Sequence, residues 1–158
     1  ELEAARWFRR AADRDWPAGM HSLALMHWNG LGVCQDDWEA VHWFRQAAEG
    51  EYVESMDYLG FAHETGRGVA KDEREAAKWY RLAADRGSAH AQYELGWMYA
   101  KGLGVASDYV HAHAWLSLAA VQGEANALAS RDKVAELMTP EQIAEAERLA
   151  REWKPKVE

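Results

Sequence analysis

The chain has 158 residues, of which 49% are hydrophobic and 28% charged, a composition typical of a globular protein and unlike that of a disordered chain. Its formal net charge of −8 argues against a nucleic-acid partner, because phosphates attract surfaces rich in lysine and arginine. No apolar run approaches the roughly 18 residues that a membrane-spanning helix needs, so no membrane span is expected.

The first predicted element is a lone helix over about 2–14, and its central aromatic pair introduces a period of 36 residues. The pair recurs at Trp7-Phe8, Trp43-Phe44, Trp79-Tyr80 and Trp115-Leu116. An alanine pair keeps the same phase, and so does a Gly-x-Gly-Val unit that begins at Gly30, Gly66 and Gly102. Several features locked to one period indicate a repeat protein. We therefore expect one solenoid domain over 1–158, with a partial repeat at 1–15 and full repeats at 16–51, 52–87 and 88–123.

Each full period reads as two helices joined by a glycine turn. In the third period an apolar stripe with helical spacing runs through Ala91, Leu95, Met98 and Tyr99. Gly102 follows that stripe and predicts a helix end, because glycine adopts the left-handed conformation at low cost. The second helix of each period is predicted to begin at an aspartate N-cap, at Asp36, Asp72 and Asp108. Gly50 falls one position early relative to Gly87 and Gly123, so we expect a distorted turn there.

The period fails after residue 123, where a helical pattern over about 124–138 precedes a final helix over about 140–153. Thr139, Pro140 and Gln142 form a capping-box start for that last helix. We expect 124–158 to be a C-terminal capping helix pair, as solenoids need a polar outer face at their ends. The chain opens in the middle of a repeat. We therefore expect residues upstream of Glu1, and a helical face at 1–14 that is suited to self-association.

The third period resembles the Sel-one-like repeat (SLR) family, a relative of the tetratricopeptide repeats. The resemblance rests on the run Ala91-Gln92-Tyr93-Glu94-Leu95-Gly96-Trp97-Met98-Tyr99-Ala100-Lys101-Gly102-Leu103-Gly104-Val105, with Asp108, Ala112, Trp115 and Ala119-Ala120. It implies an all-α, right-handed superhelix of helix–turn–helix repeats and a role as an adaptor. Bacterial members often act in the cell envelope or in host interaction. The sequence departs from the family pattern at His27 and His63, where the family has a tyrosine, and at Asp57.

Tetratricopeptide-like solenoids present the first helix of each repeat on their concave side, so the resemblance implies a partner-binding face there. Positions opposite the packing stripe of that helix are His21, Leu25, Trp28, Asn29, Asp57, Phe61, Glu64, Thr65, Tyr93, Trp97, Ala100 and Lys101. Aromatic residues mixed with polar groups are typical of protein-binding surfaces. The alternative is that Leu25, Phe61, Tyr93 and Trp97 pack between repeats.

Trp28 is the strongest single contact residue that the sequence suggests. Its equivalents one and two periods later are Glu64 and Ala100, so packing does not demand an aromatic ring at this position. Trp16 and Tyr52 share a phase whose later counterparts are Ser88 and Glu124, and Trp38 shares its phase with Arg74 and Val110. We expect these three rings to be exposed in or near turns.

No motif in the chain predicts catalysis, a metal site or a cofactor. The seven histidines include no His-Glu-x-x-His, and the glycine pairs follow helices and lack the Lys-Ser/Thr of a phosphate loop. The single cysteine, Cys34, excludes an internal disulfide and is interpreted as an incidental thiol. With one cysteine, both the cytoplasm and a bacterial periplasm or cell envelope are compatible.

The sequence therefore favours a non-catalytic scaffold or adaptor that binds a protein or peptide partner on its concave face. A first alternative is a structural segment of a longer or self-associating solenoid. A second is a hydrolase acting on cell-wall material or a β-lactam, an activity described for a few secreted SLR members with a cysteine pair in every repeat. This chain lacks those pairs, so the resemblance does not carry the activity over.

Overall fold

The computed structural model describes residues 1–156, which contain helices and turns but no strand. Within that range the helices are α1 (Leu2–Ala12), α2 (Pro17–Asn29), α3 (Asp37–Glu49), α4 (Val53–Thr65), α5 (Glu73–Asp85), α6 (Ala89–Lys101), α7 (Tyr109–Val121), α8 (Ala127–Ala135) and α9 (Pro140–Glu152). The all-α fold predicted from the period is confirmed. Residues 157 and 158 of the predicted capping segment lie outside the described residues.

The chain divides into two compact units, residues 1–72 and the residues from 73 onward. In the first unit, α2 packs against α1 and α3, and α3 packs against α4. In the second unit, α6 packs against α5 and α7, while α8 and α9 both pack against α7. In each unit, therefore, one pair of consecutive helices forms a contacting hairpin, α2 with α3 in the first and α6 with α7 in the second.

Several helices begin at the N-cap residues that the sequence predicts. The Asp36 carboxylate accepts a hydrogen bond from the backbone N–H of Glu39, at 3.0 Å, and Asp108 accepts one from His111 at the same distance. At the last helix, the Thr139 hydroxyl accepts from the Gln142 backbone, and the Gln142 side chain accepts from the Thr139 backbone. This reciprocal pair confirms the predicted capping box.

The glycine turns serve both backbone conformation and close packing. Gly102 ends α6 in the left-handed region, with φ of 70°, and its N–H donates to the Met98 carbonyl. Gly104 also has positive φ, and a Cβ there would collide with the backbone carbonyl of Glu73. The second glycine of the turn therefore lets the start of α5 approach the segment that leads into α7.

The predicted distortion near Gly50 is present. Gly50 has an ordinary φ of −83°, and Glu51 instead takes the left-handed conformation that Gly87 takes in the second unit. A Cβ on Gly50 would lie 2.5 Å from Cγ of Pro17. The close approach of Pro17, at the start of α2, therefore requires a glycine at position 50. Glu51 adopts the strained left-handed conformation in its place.

Two helices are shorter than the sequence suggests. The pattern over 124–138 predicts a long helix, but α8 is confined to Ala127–Ala135, because Asn126 adopts a left-handed conformation with φ of 64°. The helix predicted over 2–14 ends at Ala12, since Asp15 takes a left-handed φ of 55° in the turn before α2. In both places a polar residue accepts a conformation that apolar periodicity does not reveal.

Each unit has its own core. In the first unit Ala12, Met20, Leu23 and Ala47 are buried together, with Phe8, Trp43 and Tyr52 packed against them. In the second unit the buried group is Ala112, Leu116 and Val134, with Tyr93, Tyr99, Ala100, Tyr109 and Met138 around it. The last helix buries Ala146 and exposes Glu145, Glu147, Arg148, Arg151 and Glu152, as its polar pattern predicts.

Candidate functional site

The first unit carries eight of the predicted partner-binding residues, and they differ in exposure. Asn29, Phe61 and Thr65 are exposed, whereas Leu25, Asp57 and Glu64 are half-buried. His21 and Trp28 are buried. The helical faces predicted on α2 and α4 therefore contain both interior and surface positions.

Trp28 is an interior residue, which corrects the expectation of a ring free for contact. Its side chain is only 5% exposed. The indole lies edge-on to the rings of Phe44, Tyr58 and Phe61, with centroid distances of 5.8, 6.1 and 6.2 Å. The guanidinium of Arg67 covers it, 3.6 Å from the ring centroid. An aromatic cluster and a cation together bury a ring that the repeat itself does not require.

Arg67 holds this arrangement together, and sequence reasoning missed it. Its Nη2 donates to the Trp28 carbonyl at 2.5 Å and pairs with the Asp37 carboxylate at 2.7 Å. The hydrogen bond from Arg67 lowers the pKa of Asp37 below its usual value. The available signal was positional, because the other two turns have Leu31 and Leu103 where this turn has an arginine.

His21 lies next to the same cluster. Its ring centroid is 4.8 Å from that of Tyr52 and 5.5 Å from that of Phe44. Nδ1 of His21 is hydrogen-bonded to the Ser55 hydroxyl at 2.8 Å. Burial lowers the pKa of His21, while the nearby Glu54 carboxylate acts in the opposite direction. A buried neutral imidazole with a hydroxyl partner is a packing arrangement.

Three of the predicted residues in the first unit are exposed, namely Asn29, Phe61 and Thr65. The side-chain amide of Asn29 donates to the Leu25 carbonyl at 3.0 Å, and the Thr65 hydroxyl donates to the Phe61 carbonyl at 2.7 Å. Both polar side chains are thereby tied to their own helix. Phe61, 41% exposed, presents a partly exposed apolar ring on the same helix as Thr65.

The second unit presents the equivalent residues on α6. Trp97 is 39% exposed, and Nζ of Lys101 lies 4.8 Å from its ring centroid. Tyr93 and Ala100 are half-buried and pack on the core of Ala112, Leu116 and Val134. For Tyr93 the packing interpretation accounts for the burial, whereas Trp97 and Lys101 form a surface pair.

The other aromatic residues singled out by phase behave in two ways. Trp16 and Trp38 are exposed, as predicted, and Trp38 is the more exposed at 68%. The Trp38 ring stacks on His42, with a centroid distance of 6.1 Å and an interplanar angle of 11°. Tyr52 differs from the expectation, because its contact with His21 leaves it half-buried.

The part of the chain that the structure describes contains neither a cluster of metal ligands nor a candidate membrane-spanning helix. No three histidine, cysteine, aspartate or glutamate side chains there converge as metal ligands. None of the helices in that part combines the length and apolar character needed to cross a bilayer. Cys34 is an exposed free thiol.

Comparison with known proteins agrees with the geometry. The Sel1 repeat family model matches residues 1–16, 17–52, 53–88 and 89–124. The crystal structure of a Sel1 repeat protein from Oxalobacter formigenes is 40% identical with a TM-score of 0.75, covering 80% of this chain and 95% of that one. The crystal structure of c5321, a protective antigen present in uropathogenic Escherichia coli strains that displays an SLR fold, is 30% identical with a TM-score of 0.71.

The chain is shorter than the second of these relatives. The match to c5321 covers 96% of this chain but only 40% of c5321, so the chain spans less than half of that protein. No curated protein matches the chain. The helical repeat solenoid expected from the 36-residue period is confirmed by the family match and by both solved structures.

Proposed function

This chain belongs to the Sel1 repeat family, and on that premise we propose that it is a non-catalytic scaffold or adaptor that binds a protein or peptide partner. Sel1 repeat proteins are generally protein-interaction scaffolds, and the family is typically non-catalytic. In this proposal the partner binds on the concave face of the solenoid, through the first helices of the repeats.

The observation that carries the proposal is the exposure of Phe61 and Trp97. These residues occupy equivalent positions of the period, and each presents a partly exposed ring beside a polar side chain, Thr65 in one unit and Lys101 in the other. Partly buried aromatic rings with a polar rim are typical of residues that dominate binding free energy. The net charge of −8 favours partners that present basic groups.

Trp28 and His21 have a supporting role in this proposal. The Trp28 ring lies 6.2 Å from the Phe61 ring, centroid to centroid, and so supports it from the interior. Replacing Trp28 would disturb binding through the fold of α2 and α4. The informative substitutions are therefore at the exposed rings themselves.

The test combines crosslinking with affinity measurements. A photoreactive phenylalanine analogue at position 61 or 97 should crosslink to a partner in a lysate of the source cells, whereas the same group at position 38 should not. With that partner purified, Phe61→Ala and Trp97→Ala should each weaken binding by at least about tenfold, which corresponds to roughly 1.4 kcal/mol. Trp38→Ala is the matched control, because this ring is more exposed but lies on α3.

The proposal fails if both alanine variants bind the purified partner as tightly as the original chain, with helicity unchanged. It also fails if crosslinking at position 38 captures the partner as efficiently as crosslinking at 61 and 97. Either result would move the contact surface away from the first helices of the repeats.

Self-association is the second candidate, favoured by the exposed apolar side chains Leu2 and Trp7 on α1. Exposed apolar surface on a helix can mark an interface with another protein surface. Light scattering over a concentration series distinguishes the two functions. A constant monomer mass at high concentration counts against self-association through α1.

A further inference from the structure

A cleft of about 390 Å³ lies in the second unit among α7, α8 and α9. It shares no residue with the proposed partner-binding surface. The polar side chains that line it are His113 and Ser117 from α7, Arg131 and Asp132 from α8, and Glu147 and Arg151 from α9. Two alanines, Ala135 and Ala150, complete the lining.

His113 is a residue that packing does not require. Its equivalents in the earlier periods are Ala5, Val41 and Ala77, and all three are buried. His113 is equally buried, at 4% exposed, yet it brings a polar ring into an otherwise apolar position. Its Nδ1 is 3.5 Å from the Ser117 hydroxyl, and within the described part of the chain no protein group hydrogen-bonds to Nε2. Burying a polar ring costs free energy unless it gains a partner.

Ser117 makes the space for this cleft. The earlier periods have Arg9, Arg45 and Arg81 at the equivalent position, each with a far longer side chain. The Ser117 hydroxyl donates to the His113 carbonyl at 2.8 Å, so it stays close to α7. The last period thus differs from the others at two neighbouring positions, and both changes place small or polar groups at the base of one cleft.

The charged groups around the cleft balance each other. The Arg131 guanidinium donates to Asp132, with Nη2 at 2.6 Å from Oδ1, and Arg151 lies 3.8 Å from Glu147. Burial and the neighbouring Arg131 lower the pKa of His113, so its imidazole is neutral at pH 7. A simple anion would meet two carboxylates, and a simple cation would meet two guanidinium groups. A ligand that carries both charges matches this lining.

We propose that the cleft binds a small zwitterion of the α-amino acid type, either a free amino acid or a short peptide with both termini free. The ligand carboxylate binds to the guanidinium of Arg151 or Arg131, and the ligand ammonium group donates a hydrogen bond to His113 Nε2. The ammonium group lies between the carboxylates of Asp132 and Glu147. Each charge is then met by at least one opposite charge at the cleft wall.

The first test titrates the full chain with matched ligands. Binding is monitored through the NMR signals of the His113 ring. L-alanine and L-alanyl-L-alanine carry both charges, N-acetyl-L-alanine carries only the carboxylate, and L-alanine amide carries only the ammonium group. At least one zwitterion should give saturable shifts, with a Kd at least about tenfold below that of either singly charged compound, because each charge-assisted hydrogen bond contributes roughly 1.5–3 kcal/mol. The two zwitterions distinguish a free amino acid from a peptide.

The second test uses the chain's own repeats to design variants. His113→Val and Ser117→Arg introduce the residues that the repeat over 16–51 has at positions 41 and 45, and both should abolish the saturable shifts of cleft backbone signals while helicity is retained. Arg148→Ala is the matched control, because Arg148 lies on the exposed face of α9, paired with Glu145 and Glu152, and should leave binding unchanged.

Three results would overturn the proposal. The first is the absence of saturable binding by both zwitterions up to about 100 mM, far weaker than a specific site would show. The second is equal binding of N-acetyl-L-alanine, which would make the cleft a simple anion site. The third is unchanged binding by the His113→Val variant. This variant should fold, because valine is smaller than the histidine that it replaces.

Discussion

Position 28 in the first unit and position 100 in the second are equivalent in the period, but one is a buried tryptophan and the other a half-buried alanine. The tryptophan is accommodated because Arg67, from the following turn, covers its ring and pairs with Asp37. Glu64, one period after Trp28, has Leu103 at the position that Arg67 occupies relative to Trp28. The large ring and the cation that covers it occur together or not at all.

A second pair of equivalent positions has an apolar side chain in the first unit and a polar side chain in the second. Met20 is buried in the apolar core of the first unit, and its counterpart Gln92 is fully buried in the second. The Gln92 amide donates to the Ala84 carbonyl at 3.3 Å and accepts from the Gln122 side chain at 2.8 Å. The amide is therefore satisfied in the interior.

The comparison teaches that the repeat fixes the helical framework, while pairs of compensating residues decide what fills it. Each unusual residue has a partner that the period does not predict, Arg67 for Trp28 and Gln122 for Gln92. Substitutions that remove one member of such a pair should therefore cost more than the same change at an exposed site.

The largest effect is expected from Trp28→Ala, which removes a buried ring from the aromatic cluster of the first unit. The cavity and the lost contacts should lower the free energy of unfolding by about 3–5 kcal/mol. Urea denaturation followed by circular dichroism measures this change. Trp38→Ala is the control, since an exposed ring should change stability by no more than about 0.5 kcal/mol. Equal losses in the two variants would contradict the burial of Trp28.

Arg67→Leu gives the first unit the residue that the other two turns carry. It removes the hydrogen bond to the Trp28 carbonyl, the ion pair with Asp37 and the cation above the indole, so unfolding should become easier by about 2 kcal/mol. Denaturation of the single and double variants gives a coupling energy. The effect of Arg67→Leu should shrink in the Trp28→Ala background, and strict additivity would show that the two residues do not act as a pair.

Gln92→Met places the first unit's residue in the second unit. The Ala84 carbonyl keeps its bond from the Gly87 backbone, and the exposed Gln122 side chain can turn to water, so the loss should be modest, about 1 kcal/mol. The matched control is Met56→Leu in the first unit, a change of similar volume with no hydrogen bond to lose. A larger loss in the control than in Gln92→Met would contradict the role assigned to the amide network.

The smallest effect is expected from pH. The pKa of His21 is lowered in the folded chain, so the unfolded chain binds the proton more tightly. Stability that depends on neutral His21 is therefore complete above the unfolded pKa of 6.5 and is lost as the pH falls below it. His21→Tyr, the residue found at position 93, should reduce this dependence.

The measurement is the free energy of unfolding of both chains between about pH 7.5 and 5.5, a range that spans the ordinary histidine pKa. Because His113 also has a lowered pKa, part of the dependence should persist in His21→Tyr. An identical slope in the two chains would show that His21 does not contribute.

Local patterns in the sequence were sufficient for the framework. The apolar stripes, the glycine turns and the aspartate caps each depend on residues a few positions apart and recur every 36 residues, so the all-α repeat and the capping box at Thr139 were predicted correctly. The lengths of α1 and α8 were not, because Asp15 and Asn126 adopt left-handed conformations that apolar spacing does not signal.

The sequence by itself determined that equal helical hairpins follow one another, since a repeated pattern of apolar and turn residues is a local property. Only the tertiary structure decided which aromatic rings lie inside. Trp28 is buried because an arginine 39 residues further along folds back over it. Likewise, the cleft at His113 exists only because the three consecutive helices α7, α8 and α9 fold together there, and the 36-residue period has no counterpart for α8 and α9.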